Sequence, residues 1–195
     1  AAGRAARTYL AIAVIGGLCA LFGIFMIAAG TGNLSMDSLE QFRKATGGTW
    51  PLYLAGALLL AGFGAKAGMY PLHVWLPNAH PVAPAPASAL LSGILTKTGV
   101  FGILAVTVTM FRHDMAWGMV LLVPGAVTMV LGAILAVFSI DLKRTLACSS
   151  MSQIGFIIIA IGMQGLLGEH NALAASGTLL HFLNHSLFKL LLFLG

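Results

Sequence analysis

The stretch GFGAKAGMYPLHVWLPNAHPVAP, residues 62–84, places a lysine at the end of an apolar run and follows it with helix-breaking residues. Glycines surround Lys66 and prolines follow it, at Gly62, Gly64, Gly68, Pro71, Pro77, Pro81, Pro84 and Pro86. Membrane helices are broken in this way where the freed backbone groups are buried in protein or line a cavity. The stretch therefore predicts a broken helix that gives Lys66 access to water. Alternatively, the glycines only permit close packing and the prolines only end a helix.

The composition predicts an integral membrane protein. The chain is 59% hydrophobic and 8% charged, and its mean hydropathy is +0.98, whereas a soluble domain carries about 25% charged residues. The net charge is +5, but no basic run exceeds two residues, so no nucleic-acid partner is expected. Cys19 and Cys148 are too far apart for a CxxC motif and are interpreted as small packing residues.

The apolar runs predict an all-α polytopic bundle. They are about 20 residues long, which is the length of helix that crosses a bilayer, and they lack the period-two pattern of barrel strands. The predicted crossings are residues 8–30, 51–72, 84–111, 117–139, 145–164 and 171–195, with a polar loop between the first two. The start has no initiator methionine and the end lies inside an apolar run, so residues 1–195 are interpreted as an interior piece of a longer transmembrane domain.

Lys66, Lys97 and Lys189 lie inside predicted crossings, and none has an acidic residue within one helical turn. A charge at mid-bilayer costs about 2.5–3.5 kcal/mol, and such residues usually face a bundle interior or a water-filled path. Because desolvation favours the neutral amine, a buried lysine can load and release a proton near neutral pH. The alternative is that the long side chains carry their ammonium groups to the lipid headgroups.

The segment LLHFLNHSLFK, residues 179–189, predicts a proton relay. His181, His185 and Lys189 are spaced by four residues and so share one stripe of a helix. Histidine titrates near neutrality and has two ring nitrogens, so this stripe can pass a proton through intervening water. Packing histidines bonded to carbonyl groups are the alternative. A zinc HExxH site is disfavoured because Phe182 stands where glutamate is required.

The sequence predicts no cofactor and no redox catalysis in this chain. It contains no nucleotide-binding loop, flavin motif or set of iron–sulfur cysteines. A haem is disfavoured because axial histidines commonly come from facing helices, whereas the histidines predicted within a crossing lie on one helix. Sodium needs oxygen-rich coordination, and the crossings offer hydroxyl groups but no carboxylate, so the proton is the favoured ion.

Three ordered segments carry a family resemblance. They are AKAGMYPLHVWLPNAHPVAPAPASALLSGILTKTGVFGIL (65–104), DLKRTLACSSMSQIGFIIIAIG (141–162) and LLHFLNHSLFKLLLFLG (179–195). The chain resembles, over residues 51–195, the antiporter-like subunits of respiratory complex I, Mrp-type sodium/proton antiporters and group 4 membrane-bound hydrogenases such as formate hydrogenlyase. The resemblance implies about fourteen helices in two inverted five-helix repeats, each with a broken helix. The six crossings would be the sixth to the eleventh.

The resemblance also implies roles for individual residues. Lys66 matches the proton-carrying lysine of the broken helix, and Lys97 matches the residue that links this half-channel to the centre. His181, His185 and Lys189 match the central titratable cluster. The glutamate that pairs with the broken-helix lysine would precede residue 1, and the charged residue of the next helix would follow residue 195.

The chain is therefore expected to be a proton- or sodium-translocating subunit of a redox-driven respiratory or hydrogenase complex. Its expected partners are other membrane subunits, the lipid bilayer and the ion. By resemblance, its place is a bacterial or archaeal cytoplasmic membrane or an organelle inner membrane. An Mrp-type antiporter subunit without a redox partner and a structural anchor subunit are the alternatives. The predicted route runs from Lys66, paired with a neighbouring carboxylate, through Lys97 to the cluster on the last helix.

Overall fold

A computed structural model describes residues 2–170 and 172–194, and this part of the chain is helical without β-strands. The candidate membrane crossings are α1 (Ala2–Thr31), α3 (Trp50–Ala67), α5 with α6 (Ala85–Leu90 and Thr96–Met110), α7 (Met115–Val137), α8 (Leu142–Leu167) and α9 (Ala172–Leu194). Two shorter helices, α2 (Asp37–Thr46) and α4 (Trp75–Ala79), lie between crossings. The predicted all-α fold with six crossings is confirmed. Residues 1, 171 and 195 of the predicted runs lie outside the described residues.

The crossings pack mainly as neighbours, with α1 along α3, α3 along α6, and α7 along α8, while α9 packs on α5 and α8. Because successive crossings run in opposite directions, residues 68–84, residues 138–141 and the last turn of α9 lie together. We call this the linker end of the bundle. The Lys143 Nζ atom donates a hydrogen bond to the Ala83 carbonyl at 2.9 Å, which joins the start of α8 to the linker between α4 and α5.

Glycines allow α7 and α8 to touch through their backbones. A Cβ atom added at Gly155 would overlap the backbone nitrogen of Met129, and one added at Gly132 would overlap the backbone nitrogen of Ser152. Small residues at such positions permit the close approach that holds membrane helices together through van der Waals contact. The α7–α8 pair therefore depends on the absence of side chains at these positions.

We expect Gly155→Ala to destabilise the full-length subunit by about 1–3 kcal/mol, because the added methyl group forces the two backbones apart. The measurement is the temperature at which the monodisperse peak of the detergent-solubilised protein disappears. Gly17→Ala is the matched control, since a Cβ atom at Gly17 meets nothing within 4 Å. An equal loss of stability in both variants would contradict this account of the α7–α8 contact.

The predicted break beside Lys66 is confirmed, but the predicted end of this crossing at residue 72 is wrong. Helix α3 ends at Ala67 because Gly68 adopts a left-handed conformation, with φ of 79°. The Gly68 and Met69 amides then donate hydrogen bonds to the carbonyl groups of Ala65 and Gly64, at 3.3 and 2.9 Å. This arrangement is a common C-terminal cap, and it places the end of the helix one residue after Lys66.

The polar segment between the first two crossings is a helix, α2, and its prediction as a loop is wrong. Leu39 and Phe42 of α2 pack against the hydrophobic core, while Glu40 and Lys44 form an exposed ion pair with 2.8 Å between Oε1 and Nζ. Four of the ten residues of α2 are charged, and for this reason its short apolar face was not recognised in the sequence. Tertiary packing of that face, rather than overall hydrophobicity, stabilises α2.

Candidate functional site

A cluster of titratable side chains lies between α6, α8 and α9. Lys97, His185 and Lys189 have exposed fractions of only 4%, 3% and 1%. Lys97 and Lys189 therefore do not reach the lipid headgroups, and that alternative is excluded for both. Buried charges of this kind usually face a bundle interior or a water-filled path.

Lys97 and His185 are in direct contact, although 88 residues separate them. The Lys97 Nζ atom lies 2.6 Å from Nδ1 of His185, and it donates a second hydrogen bond to the Ser92 carbonyl at 3.0 Å. When the ammonium donates to Nδ1, the imidazole is neutral and carries its hydrogen on Nε2. Both groups cannot donate into the same contact, so only one hydrogen lies between Nζ of Lys97 and Nδ1 of His185.

A π-helical turn, Leu91–Leu95, interrupts the third crossing directly before this contact. The Thr96 amide there bonds to the Leu91 carbonyl, five residues back, and the Thr96 hydroxyl donates to the Ser92 carbonyl at 3.1 Å. The Ser92 carbonyl thereby accepts from both Thr96 and Lys97. Isolated π turns inside α-helices are frequent at functional sites. The predicted crossing at residues 84–111 is confirmed as a span over Ala85–Met110, but the sequence did not indicate the π turn, since no proline or charge in this turn signals the extra residue.

Lys189 is held by the facing helix α8. Its Nζ atom donates hydrogen bonds to the Leu146 carbonyl at 3.0 Å and to the Ser149 hydroxyl at 3.1 Å. Neither of these two partners is an anion, so both contacts stabilise the ammonium through dipoles. The sequence carried no signal that would match these partners to Lys189.

His181 lies next to the cluster on the same face of α9. Its ring is parallel to that of His185, with 6.2 Å between the ring centroids. Among the described residues, neither Nε2 atom has a hydrogen-bond partner. A cavity of about 280 Å³ adjoins both rings and Lys189, and its other lining residues are Ser149, Gln153, Asn184 and Phe188. This volume admits several water molecules of about 30 Å³ each, so water can bridge the two rings.

Lys66 lies outside this cluster. Its side chain is exposed on this chain, and it lines a groove of about 200 Å³ together with Tyr9, Gly16, Trp75 and Leu95. The Trp75 Nε1 atom donates to the Ala65 carbonyl at 2.8 Å, which ties α4 to the broken end of α3. Among the side chains that the structure describes, no carboxylate forms an ion pair with Lys66.

The structure thus brings together Lys97, His181, His185 and Lys189, and it leaves Lys66 in a separate groove. The stripe on α9 has the geometry that its four-residue spacing predicts. The contact between Lys97 and His185 could not be read from spacing, because it joins two distant helices. In the described ranges, no three histidine, cysteine or acidic residues are grouped as metal ligands.

Comparisons with known proteins agree on one family. The model for the transmembrane part of the NADH:quinone oxidoreductase/Mrp antiporter family matches residues 1–195. Hydrogenase-4 component B from Escherichia coli (strain K12) is 39% identical over 200 residues, which cover 98% of this chain and 29% of the relative.

Two solved structures share the fold. A chain of the Mrp complex from Dietzia sp. DQ12-45-1b superposes with a TM-score of 0.87 at 27% identity, over 98% of this chain and 34% of that one. A chain of the membrane-bound sulfane sulfur reductase, an archaeal respiratory membrane complex, gives a TM-score of 0.86 at 33% identity, over 98% and 32%. The chain spans about a third of the length of each of these proteins.

Proposed function

Because this integral membrane chain belongs to the NADH:quinone oxidoreductase/Mrp antiporter transmembrane family, we propose that it carries protons across the membrane within a redox-driven, multi-subunit complex. The observation that carries this proposal is the buried contact between Lys97 and His185, which contains two bases, one hydrogen between them and no carboxylate. In a poorly solvated site, such a pair responds strongly to any charge placed nearby. Other membrane subunits supply the redox chemistry.

The cluster supports a stepwise transfer along α6 and α9. Transfer from Nζ of Lys97 to Nδ1 of His185 leaves a neutral amine and an imidazolium. The imidazolium then releases its Nε2 proton through water in the adjoining cavity, and a neutral Lys189 accepts it. Positive charges on His185 and Lys189 repel one another, so each proton must leave before the next arrives.

Lys66 is proposed as the group that feeds this cluster. Its groove is open on this chain, and a carboxylate from outside the chain would stabilise its protonated form. Weakening of that ion pair would release the proton through water toward Lys97. The break in α3 directly after Lys66 gives the side chain room to move.

We expect Lys66→Ala to lower proton uptake per turnover by about tenfold, while assembly stays normal. The effect is limited because water in an exposed groove can replace part of the lysine's function. The measurement uses the complete complex in liposomes, with a pH-sensitive dye inside and the amount of assembled complex determined in parallel. Lys66→Arg is the matched variant, because arginine keeps the charge but does not release its proton. Normal uptake in Lys66→Arg would show that only the charge matters and would contradict a proton-carrying Lys66.

An Mrp-type antiporter subunit is the second candidate, and the similarity to the Dietzia Mrp complex favours it. Proton uptake by the complex in the same liposomes distinguishes these two functions. Redox-driven uptake of protons that does not depend on sodium supports the first proposal. Proton movement that requires an opposing sodium gradient supports the second. A structural anchor predicts a third result, in which the lysine variants reduce the amount of complex and leave uptake per complex unchanged.

A further inference from the structure

Two cavities meet at the end of the bundle opposite the linker end, where α6 stops at Met110. One cavity, of about 370 Å³, lies beside the end of α2 and is lined by three basic residues, Arg43, Lys44 and Arg112, among others. We call it the basic cavity. The second, of about 650 Å³, lies between α6, α8 and α9. Phe111 and Arg112 line both cavities, so the two adjoin.

Two arginines of the basic cavity have no carboxylate partner among the described side chains. Arg43 is half-buried, and its Nε atom has no hydrogen-bond partner in the described part of the chain. Arg112 is exposed, and its Nε atom donates to Nε2 of His113 at 3.3 Å. A buried donor without a partner is unfavourable, and a guanidinium group binds phosphate through parallel hydrogen bonds. The basic cavity is therefore suited to a phosphate group.

Two carboxylates at this end are engaged with other groups. Asp114, which also lines the basic cavity, accepts hydrogen bonds from the Tyr53 hydroxyl at 2.7 Å and from the Trp117 amide at 3.0 Å. Glu40 pairs with Lys44, with 2.8 Å between Oε1 and Nζ. These carboxylates compete only weakly for the two arginines, which keep a local positive charge that attracts an anion.

The second cavity is mainly apolar and opens toward the bilayer. Its wall includes Phe101, Leu104, Val108 and Leu179. Three of these, Phe101, Val108 and Leu179, are exposed side chains of membrane crossings, so hydrocarbon can reach the cavity. A helix 10 Å in diameter fills about 120 Å³ per residue, so this volume holds roughly five residues of helix. The cavity is too small for a further crossing, whereas an extended acyl chain is thinner and can enter it from the side.

We propose that this end of the bundle binds one anionic phospholipid, with its phosphate between Arg43 and Arg112 and one acyl chain in the cavity between α6, α8 and α9. Arg112 follows the end of α6 closely and so lies at the level of the headgroups. Basic pockets between membrane helices are binding sites for anionic lipid headgroups. The inference does not rest on proton transport, because no residue of the proposed route lines either cavity.

The test uses the purified full-length subunit in a nonionic detergent, with bound phosphatidylglycerol counted by native mass spectrometry. We expect one phosphatidylglycerol to bind more tightly than phosphatidylcholine with the same acyl chains, because only the former carries a net negative charge. Arg43→Gln and Arg112→Gln should each weaken binding about fivefold, and together about 25-fold. Arg144→Gln, in the first turn of α8, removes the same charge from an exposed arginine and should bind as the wild type does. Equal binding of both lipids, or equal losses in all three variants, would overturn the proposal.

A further variant tests the place of the acyl chain. Ala175→Phe fills the cavity between α6, α8 and α9 without a change of charge, and it should weaken binding about tenfold, as the displacement of roughly two methylene groups would. Ala11→Phe, at an exposed position of α1, is the matched control and should have no effect. Unchanged binding in Ala175→Phe overturns the proposal. So does binding of free glycerol 3-phosphate as tight as that of the lipid, which would indicate a site for a small anion. Failure of the wild type to retain phosphatidylglycerol overturns it as well and would indicate that another protein segment covers the cavities.

Discussion

Replacement of Lys97 by methionine lowers proton uptake per turnover by about 100-fold or more in the expected result, while the complex assembles in its normal amount. Methionine has a similar volume and flexibility, but it can neither donate to His185 nor carry a proton. Lys97 is 4% exposed, so water from the membrane surface cannot readily replace its ammonium. For this reason the effect should exceed that of Lys66→Ala. The measurement is dye-monitored acidification of liposomes, normalised to assembled complex and to redox turnover.

The Lys97→Met variant also tests stability, for which a relay role and an anchor role predict opposite changes. Because no carboxylate compensates the charge of Lys97 among the described residues, its removal should leave the thermal midpoint unchanged or raise it. An anchor role predicts lower stability and less complex instead. Lys44→Met is the matched control, since Lys44 is exposed and forms a surface ion pair with Glu40. Unchanged uptake in Lys97→Met would remove Lys97 from the route.

Lys189→Met is the second substitution with a large expected effect, again about 100-fold in uptake per assembled complex. Lys189 is bound by the Leu146 carbonyl and the Ser149 hydroxyl, and its exposed fraction is 1%. It is the lysine of the cluster that lies nearest the linker end. In the proposed route Lys189 accepts the proton that passes from Lys97 to His185, so its loss interrupts the route after Lys97.

Two controls sharpen this prediction. Ser149→Ala removes one of the two hydrogen bonds to Lys189 and keeps its charge, so uptake should fall by only about fivefold, in line with one hydrogen bond of about 1 kcal/mol. The double variant Lys97→Met, Lys189→Met should be no worse than either single variant, because groups that act in series are not additive. Multiplied losses in the double variant would indicate two parallel routes and would contradict a single relay.

Prediction from sequence succeeded where the signal is local. The six crossings follow from apolar runs of about 20 residues, because the bilayer imposes that length on any helix that crosses it. The stripe of His181, His185 and Lys189 follows from a spacing of four, because such residues share a helix face whatever surrounds the helix. The break after Lys66 follows from glycine and proline chemistry.

Prediction from sequence failed where packing between distant segments decides the local conformation. The π turn at Leu91–Leu95 has no proline or charge to mark it, and it accompanies contacts made across the bundle, such as that of Ser92 Oγ with Ser150 Oγ at 2.6 Å. The short helix α2 was hidden by its charges, because burial against α1, α3 and α6 compensates for its low hydrophobicity. In both cases the local sequence permits more than one conformation, and packing selects among them.

The sequence by itself determined that this chain is a helical membrane protein, that a helix breaks directly after Lys66, and which helix face carries titratable groups. These properties depend on the length of the apolar runs, on glycines and prolines that break helices, and on the helix period. Each of the three is encoded within about 20 consecutive residues. Only the tertiary structure decided that Lys97 contacts His185, that Lys66 lies apart, and that His80 is buried beside Phe193. Hydrogen bonds and burial join residues that are far apart in the chain, and their energies depend on distances that no local pattern specifies.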